Sequence, residues 1–277
     1  MSKTYEYFKK SKRLSLKWDS YFDVYDKIFK EHKNKKIKFV EVGVANGGSL
    51  FIWQKLFGSK AEIIGIDANP VSEKLRKYGF KIYIGDQSDP KFWKSFFKKE
   101  KKIDIILDDG GHKNLQQIST IHYSLPYIKN NGLIVVEDMH TSYLKKEFYN
   151  PSKFSFVNFC FKIVEFINYR SGAINKDLNY YSKKIHSIEF FESIAVLKIN
   201  SVKCFKSKSI SNKIKDPPLN EMRNSFHFNK TKSFINKNLR FLTKFKIFKK
   251  IERKLFYRNR FLNIKENRQI NRIIKKL

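Results

Sequence analysis

Short apolar segments that each end in an acidic residue recur along the first half of the chain, separated by stretches with helical periodicity. These predicted strands are Ile37–Val42, Ile63–Pro70, Lys81–Asp89, Ile103–His112 and Gly132–Tyr143. Strands that alternate with helices form βαβ units, whose mostly parallel sheet is covered by helices on both faces. Ligands of such sheets bind beyond the carboxyl ends of the strands. The sequence therefore predicts a doubly wound α/β fold with an acidic rim, made of Glu41, Asp67, Asp86, Asp108, Asp109, Glu137 and Asp138.

The first predicted strand runs into a glycine-rich turn and then a helix, in the stretch Phe39–Ser49. Glycine lets the backbone come close to a ligand and tolerates positive φ. The turn lacks the GxGxxG pattern of dinucleotide sites, because Ala45 stands where a second glycine would be. Glu41, before the turn, would repel a pyrophosphate and favours a cationic ligand. Asp67, at the end of the second strand, is placed to accept hydrogen bonds from ribose hydroxyls.

Asp109, His112, Glu137 and Asp138 follow the fourth and fifth predicted strands, which we expect to be neighbours. Three carboxylates within a few ångströms would destabilise one another without a counter-charge. A hard divalent cation such as Mg²⁺ or Ca²⁺ would provide that charge, with water or substrate hydroxyls as further ligands. His112 could accept a proton, since imidazole exchanges protons near neutral pH. The alternative, equally open from the spacing, is that Asp108 and Glu137 cap loops and His112 is a hydrogen-bonded turn residue.

Other segments complete the predicted fold. Residues 15–33 have aromatic residues at helical spacing, which favours a helix whose aromatics serve packing rather than ligand binding. Further helices are predicted around Phe92–Phe97, over Leu115–Leu125 and over 154–169. The stretch Ser187–Ile199 reads as an antiparallel hairpin that turns near Glu192 and adds two edge strands. The expected sheet is thus seven-stranded and Rossmann-like.

The chain has 277 residues and a formal net charge of +32, and the charge is unevenly distributed. Residues 201–277 carry 23 of the 58 basic residues but 4 of the 26 acidic ones. A basic amphipathic helix is predicted around Phe241–Leu255, of the type that lies on anionic membranes or on a partner. We expect an N-terminal helical segment (1–36), a ligand-binding domain (37–200) and a basic, partly helical C-terminal extension (201–277).

Two cysteines cannot form a disulfide framework, and no apolar run is long enough to span a bilayer. The N-terminus lacks the apolar core of a secretion signal. We therefore expect a cytoplasmic protein. The basic extension could contact the inner face of the membrane, bind a polyanion, or pack on its own chain or on a second subunit of a homo-oligomer.

The motifs EVGVANGGS, GIDANP, GDQSD, LDDGGH and VVEDMHTSY together resemble the class I S-adenosylmethionine (SAM) methyltransferases. The sequence is more closely similar to their metal-dependent branch, which includes macrolide-sugar O-methyltransferases and cephalosporin-hydroxylase-like proteins. It also resembles the sugar O-methyltransferases of bacterial capsular heptose biosynthesis. The resemblance extends over residues 15–200, and the LDDGGH and VVEDMHTSY pair at this spacing is its most specific part.

The resemblance implies a role for each motif residue. Glu41 and Gly43 would bind the methionine part of SAM, Asp67 the ribose, and Asp86 and Gln87 the adenine region. Gly47, Ser49 and Asp108 would belong to the same cofactor site. Asp109, Glu137 and Asp138 would bind Mg²⁺ or a similar divalent cation, and His112 would be the general base. Gly111 stands where the family has serine, which leaves Asp109 and His112 in register.

The implied activity is methylation of a sugar hydroxyl, on a nucleotide sugar or on a capsular or lipid-linked glycan. One alternative is a methyltransferase-like protein that binds RNA or another polyanion through the basic extension. No interleaved aromatic and basic nucleic-acid motif supports it, so nucleic acid is not the expected partner. The second alternative is an O-methyltransferase of a small non-sugar alcohol or phenol.

Overall fold

The computed structural model describes residues 2–144, 153–213 and 260–275. The chain divides into two compact units, residues 1–210 and 211–277. The helices of the first unit are α1 (Lys3–Lys9), α2 (Tyr21–Ile28), α3 (Gly48–Phe57), α4 (Pro90–Glu100), α5 (Asn114–Ser124) and α6 (Phe156–Asn168). Its strands are β1 (Lys38–Val42), β2 (Glu62–Asp67), β3 (Lys81–Ile84), β4 (Ile103–Asp108), β5 (Ile128–Val136), β6 (Ile185–Phe191) and β7 (Ile194–Ile199).

The strands form one seven-stranded sheet in the order β3-β2-β1-β4-β5-β7-β6. Strands β1 to β5 are parallel, and the hairpin β6–β7 pairs antiparallel through β7 on β5. The doubly wound fold and its antiparallel edge hairpin, both predicted from the sequence, are confirmed. The strand order reverses between β1 and β4, and this switch point is where such sheets bind ligands. Val42, Asp108 and Val136 are in register across β1, β4 and β5, so these strands end level.

Apolar side chains alternate between the two faces of the central strands. Leu133 and Val135 of β5 pack with α2 and α3, whereas Ile134 and Val136 pack with α4, α5 and α6. Both faces of β5 are therefore buried, as the continuous apolar run in its sequence requires.

The strands end earlier than the sequence predicted. Strand β4 stops at Asp108, and β5 stops at Val136, after which Met139–Tyr143 forms a 3₁₀ helix. His112 and Asp138 have positive φ angles of 57° and 55°, which a continuing strand could not contain. The residues after β4 and β5 are therefore loop residues whose direction is set by these two backbone positions.

The N-terminal segment also differs from its prediction. The helix α2 begins at Tyr21, and residues 14–18 belong to neither a helix nor a strand. Trp18, predicted to lie on the packed face of a helix, is 58% exposed, whereas Tyr21 and Tyr25 are buried as predicted. Helices α1 and α2 pack with α3 in the unit formed by residues 1–210.

In the second unit, the structure describes one helix, α7 (Arg260–Ile274). The predicted basic helix around Phe241–Leu255 lies outside the described residues. Cys160 and Cys204 are both buried, and neither forms a disulfide. Across the three described ranges, no helix combines the length and apolar character needed to cross a membrane.

Candidate active site

Two adjoining cavities open at the carboxyl end of the sheet. The β2–β3 cavity has a volume of about 500 Å³, and its lining includes Asp67, Asp86 and Gln87. The β4–β5 cavity has a volume of about 570 Å³, and its lining includes residues 14–18, Asp109, His112, Glu137 and Asp138. Both cavities are lined by Gly43, Ala45, Asn46, Asp109 and Gly110. The glycine-rich turn and the start of the β4 loop therefore form the wall between them.

Glycine is required at this wall because the two backbones touch. Gly43 has a φ angle of +86°, and a Cβ atom there would lie 2.0 Å from the carbonyl oxygen of Asp109. Gly48, at the start of α3, is equally crowded, since its Cβ would lie 2.3 Å from the carbonyl oxygen of Leu14. Gly47 has a φ angle of +79° and forms the N-cap of α3. The turn is thus shaped by the β4 loop on one side and the N-terminal segment on the other.

Asp67 lies in the β2–β3 cavity, where its carboxylate is fixed by backbone donors. The N–H groups of Ala45 and Asn69 donate to its two oxygens, each at 2.8 Å. Each oxygen keeps a lone pair for a ligand hydroxyl. Asp86 lines the same cavity and accepts a hydrogen bond from the N–H of Ser88 at 2.8 Å. Both residues are where a bound nucleoside would reach them.

Gln87 and Asp108, in contrast, are buried and bind each other. The Gln87 amide Nε2 donates to both oxygens of Asp108 at 2.9 Å, and its Oε1 accepts the N–H of Gly111 at 3.0 Å. Asp108 also accepts the N–H of Gly110 at 3.0 Å. Burial raises the pKa of Asp108, while these hydrogen bonds oppose the shift. The pair fixes the loop that carries Asp109 and His112, and the side chain of Asp108 does not line either cavity.

Glu41 is also fully buried and is absent from the lining of both cavities. The hydroxyl of Ser49 donates to its Oε2 at 2.7 Å. Burial raises the pKa of Glu41 to about 7, against the opposing effect of the Lys17 ammonium. Ser49 itself lines the β4–β5 cavity, so it links the buried carboxylate to the cavity wall.

Asp109, His112 and Asp138 form a cluster whose ligand atoms all lie within 4.8 Å of one another. The His112 Nε2 lies 3.3 Å from Asp138 Oδ2 and 3.9 Å from Asp109 Oδ1. Two carboxylate oxygens on one side of a cavity suit Mg²⁺, which binds one or two carboxylates and keeps several waters. The residues present therefore fit the divalent cation predicted from the sequence.

Glu137, the third predicted metal ligand, is buried and does not belong to this cluster. Its side chain is 1% exposed. Its Oε1 accepts a hydrogen bond from the Tyr25 hydroxyl at 2.6 Å, and its Oε2 contacts the Lys17 ammonium at 2.8 Å. Burial raises the pKa of Glu137, and the Lys17 ammonium opposes that shift. The structure thus brings together Asp109, Asp138 and His112, with Glu137 directed to the N-terminal segment.

Four residues of the N-terminal segment contact this site: Lys17, Trp18, Tyr21 and Tyr25. The sequence predicts packing for the three aromatic residues and no role for Lys17. Lys17 Nζ lies 2.6 Å from Asp109 Oδ2, while the indole N–H of Trp18 and the hydroxyl of Tyr21 both donate to Asp138 Oδ1, at 3.1 and 2.6 Å. Tyr25 is the fourth. Burial alone would lower the pKa of Lys17, but the charges of the surrounding carboxylates raise it above its ordinary value. The lysine between apolar residues in LSLKW was the one available signal.

The edge hairpin supports the same site from the other side. Ser193, in the β6–β7 turn, accepts the N–H of Met139 at its carbonyl oxygen, at 3.1 Å, and its hydroxyl lies 2.6 Å from His140 Nδ1. Thr141 donates its hydroxyl to the carbonyl oxygens of His112 and Asp138, at 3.0 and 2.8 Å. The loops after β4 and β5 are therefore tied together and held at the position of the cluster.

The known proteins to which the chain is similar are O-methyltransferases, in agreement with the motifs. The chain is 30% identical over 143 residues to the demethylmacrocin O-methyltransferase of Streptomyces fradiae, covering 48% of this chain and 36% of the relative. It is 31% identical over 128 residues to the mycinamicin VI 2''-O-methyltransferase of Micromonospora griseorubida, covering 43% of this chain and 31% of the relative. No protein-family model matches the sequence.

The fold matches that of the methyltransferase MycE from the mycinamycin biosynthetic pathway, solved in complex with Mg, SAH and mycinamycin VI. The TM-score is 0.64 at 21% identity, over 78% of this chain and 56% of that protein. The chain spans about a third of the length of these curated relatives and about half of the solved structure. The predicted resemblance to class I methyltransferases and to their sugar O-methyltransferase branch is confirmed.

Replacement of Gly43 by alanine should disrupt the wall between the cavities. Alanine in the left-handed region costs about 1–2 kcal/mol by itself, and here its Cβ would also displace the Asp109 backbone. We expect Gly43→Ala to weaken S-adenosylhomocysteine binding more than tenfold, measured by isothermal titration calorimetry, and to lower the melting temperature.

Gly79→Ala is the matched control. Gly79 has the same φ angle of +86°, but a Cβ there would meet nothing within 4 Å. It should therefore show only the backbone cost and keep its ligand affinity. Equal ligand affinities of the two variants would contradict the role assigned to the Gly43–Asp109 contact.

Proposed function

We propose that this protein is a SAM-dependent O-methyltransferase that methylates a hydroxyl group of a sugar. The observation that carries the proposal is the shared wall of the two cavities. It joins a cavity with a nucleoside-type carboxylate, Asp67, to a cavity with the Asp109, His112 and Asp138 cluster. Donor and acceptor would meet beside Gly43 and Asp109, which line both cavities.

The donor side of the site is suited to SAM. The two oxygens of Asp67 are held by backbone N–H groups and can accept the ribose hydroxyls. Asp86 lies in the same cavity, next to where the adenine would be. Among the described residues that line the β2–β3 cavity, Lys74 is the one basic side chain. This low positive charge favours a cationic nucleoside over a pyrophosphate.

On the acceptor side, the residues of the cluster have separate roles in metal binding and proton transfer. Asp109 and Asp138 would hold Mg²⁺, which when bound stabilises the negative charge that develops on the sugar oxygen. His112 Nε2 takes the proton of the hydroxyl. The sugar oxygen then attacks the methyl carbon in line. An O–C bond forms as the S–C bond breaks, and S-adenosylhomocysteine leaves with the sulfur electron pair. Binding of both reactants at one wall supplies the attack geometry.

The sugar acceptor is supported by two further relatives, an 8-demethyl-8-alpha-L-rhamnosyl tetracenomycin-C 2'-O-methyltransferase and an L-olivosyl-oleandolide 3-O-methyltransferase. Within this class we propose a nucleotide sugar or a capsular or lipid-linked glycan, methylated in the cytoplasm. The sequence motifs shared with capsular heptose methyltransferases support this narrower assignment.

Methyl transfer should depend on a divalent cation. With SAM and a panel of nucleotide sugars and glycosides, mass spectrometry should detect a mass increase of one methylene group, about 14 Da, on one acceptor class. Excess EDTA should abolish this product because the cluster carboxylates lose their cation, and Mg²⁺ should restore it. Full activity in excess EDTA would refute the metal assignment, and product on non-sugar phenols alone would refute the sugar assignment.

His112→Ala should separate donor binding from chemistry. We expect turnover to fall by about 10²–10⁴-fold, as for the loss of a general base, while S-adenosylhomocysteine affinity stays within a few-fold of wild type. The control is His122→Ala, since His122 lies on α5 and hydrogen-bonds Tyr181 instead of the cluster. Unchanged turnover in His112→Ala would remove this residue from the mechanism.

We further propose that the basic extension, residues 201–277, contacts an anionic membrane surface. The support is its charge, with 23 basic and 4 acidic residues. The full chain should float with vesicles that contain anionic lipid at low salt, and a chain that ends at residue 210 should bind them less. Equal flotation of the two proteins would refute the proposal, and binding of both to neutral vesicles would point to an apolar contact.

A further inference from the structure

We propose that residues 9–18 form a docking surface for an anionic membrane and bring the mouth of the β4–β5 cavity to that membrane. The surface consists of basic residues at positions 9–13 and of exposed apolar side chains at Leu14, Leu16 and Trp18. It belongs to the unit formed by residues 1–210 and is separate in sequence from the basic extension. What it implies for the acceptor rests on the proposed methyl transfer, whereas the docking itself does not.

The apolar half of this surface is a cluster of large side chains at a cavity mouth. Leu14, Leu16 and Trp18 are 64%, 80% and 58% exposed, and all three line the β4–β5 cavity. Single exposed apolar residues are ordinary on a protein surface, but three within five positions form a patch of the kind that marks an interaction site. Tryptophan in particular is enriched at membrane interfaces, because its ring has an apolar body and one polar N–H group.

The basic half of the surface supplies the charge that anionic lipid headgroups attract. Residues 9–13 contain four basic residues and no acidic one, and Lys10 and Lys12 are exposed beside the apolar patch. Each lysine or arginine close to an anionic membrane adds to the attraction. A small apolar molecule in the cavity would contact the leucines and the tryptophan but would have no use for these cations. The combination of charge and apolar area therefore favours a membrane as the partner.

The surface is held on the folded domain at three points. The Ser11 hydroxyl donates to the carbonyl oxygen of Gly48 at 2.8 Å. The Arg13 guanidinium donates to the carbonyl oxygen of Asn46 and, at 3.3 Å, to the Tyr78 hydroxyl. The exposed side chains are therefore presented on a fixed backbone, and docking does not carry the entropic cost of ordering a loose segment.

Docking of this surface places the acceptor cavity at the lipid headgroups. The cavity that Leu14, Leu16 and Trp18 line is also lined by Asp109 and His112. With a bilayer against the residues at its mouth, the cavity receives a sugar that the membrane itself carries. The acceptor class is therefore a lipid-linked glycan, in preference to a free nucleotide sugar.

Tryptophan fluorescence tests the docking directly, because Trp18 is the exposed member of the three tryptophans. Trp53 and Trp93 are 0% and 1% exposed, so a quencher in the bilayer reaches Trp18 alone. The full chain would be mixed with vesicles of phosphatidylglycerol and phosphatidylcholine, with and without bromine on the acyl chains. We expect bromine to remove about a third of the emission, the share of one tryptophan in three, and to remove none in Trp18→Phe.

A pair of variants tests the apolar half. Leu16→Ser should reduce the quenching by about half or more, since it removes the most exposed side chain of the patch. Val202→Ser is the matched control. Val202 is 76% exposed, and it follows β7 at the end of the sheet where β5 begins, opposite the cavities. Quenching that is equal in the two variants would overturn the inference.

A second pair tests the basic half. Lys10→Gln combined with Lys12→Gln should reduce the quenching by about half or more, because two charges near the membrane are lost. The control combines Lys35→Gln with Lys36→Gln, at two exposed positions ahead of β1. This control removes the same charge from the opposite end of the sheet and should leave the quenching unchanged. An equal effect of both double variants would mean that net charge alone is responsible, which would overturn the inference.

The failures of the separate proposals look different. Flotation of the full chain with anionic vesicles, without quenching of Trp18, would assign membrane binding to the basic extension and overturn the docking surface. A blue shift of Trp18 emission with an octyl glycoside below its micelle concentration, but not with vesicles, would overturn it in favour of an apolar acceptor in the cavity. Intact quenching together with methyl transfer to free nucleotide sugars alone would overturn only the acceptor class. Intact quenching without any methyl transfer would contradict the proposed function and leave the docking in place.

Discussion

The contact between the Lys17 ammonium and the carboxylates around it is the interaction on which this end of the sheet depends. Asp109 and Glu137 touch it directly, and Glu41 lies near enough to raise the pKa of the lysine. These acids come from the ends of β4, β5 and β1, where level strands bring them together. Without a cation between them, like charges in a buried site would repel one another and destabilise the fold. The N-terminal segment that carries the lysine is therefore part of the same unit as the sheet.

A second set of contacts holds the loops after β4 and β5 at a fixed separation. The hydrogen bonds of Gln87 with Asp108 and with the backbone of Gly111 fix the β4 loop. The Thr141 hydroxyl hydrogen-bonds the carbonyl oxygens of His112 and Asp138. The positive φ angles of His112 and Asp138 store some strain, which surrounding contacts of this kind can maintain. A site whose groups are placed before the reactants arrive does not have to reorganise in the transition state.

The sequence predicted most of the sheet and the acidic rim, because strand alternation and strand ends are local patterns. It could not predict which acids face a cavity. Asp108 and Asp109 are neighbours, yet Asp109 lines both cavities while the Asp108 side chain is buried against Gln87. The role of Lys17 was equally hidden, because its partners lie 92 and 120 residues away along the chain. The aromatic spacing near Tyr25 correctly predicted packing but gave no sign that the hydroxyl also binds Glu137.

Exposed and less exposed side chains alternate over residues 14–18, so that one short stretch serves two purposes. Leu14, Leu16 and Trp18 are 64%, 80% and 58% exposed at the β4–β5 cavity, whereas Lys17 is buried beneath them. A helix over the same residues, as the aromatic spacing predicted, would have placed Lys17 and Trp18 on adjacent faces. Because the exposed rim residues and the buried lysine are different side chains, the cavity rim can change in sequence without moving the ammonium that neutralises the buried acids.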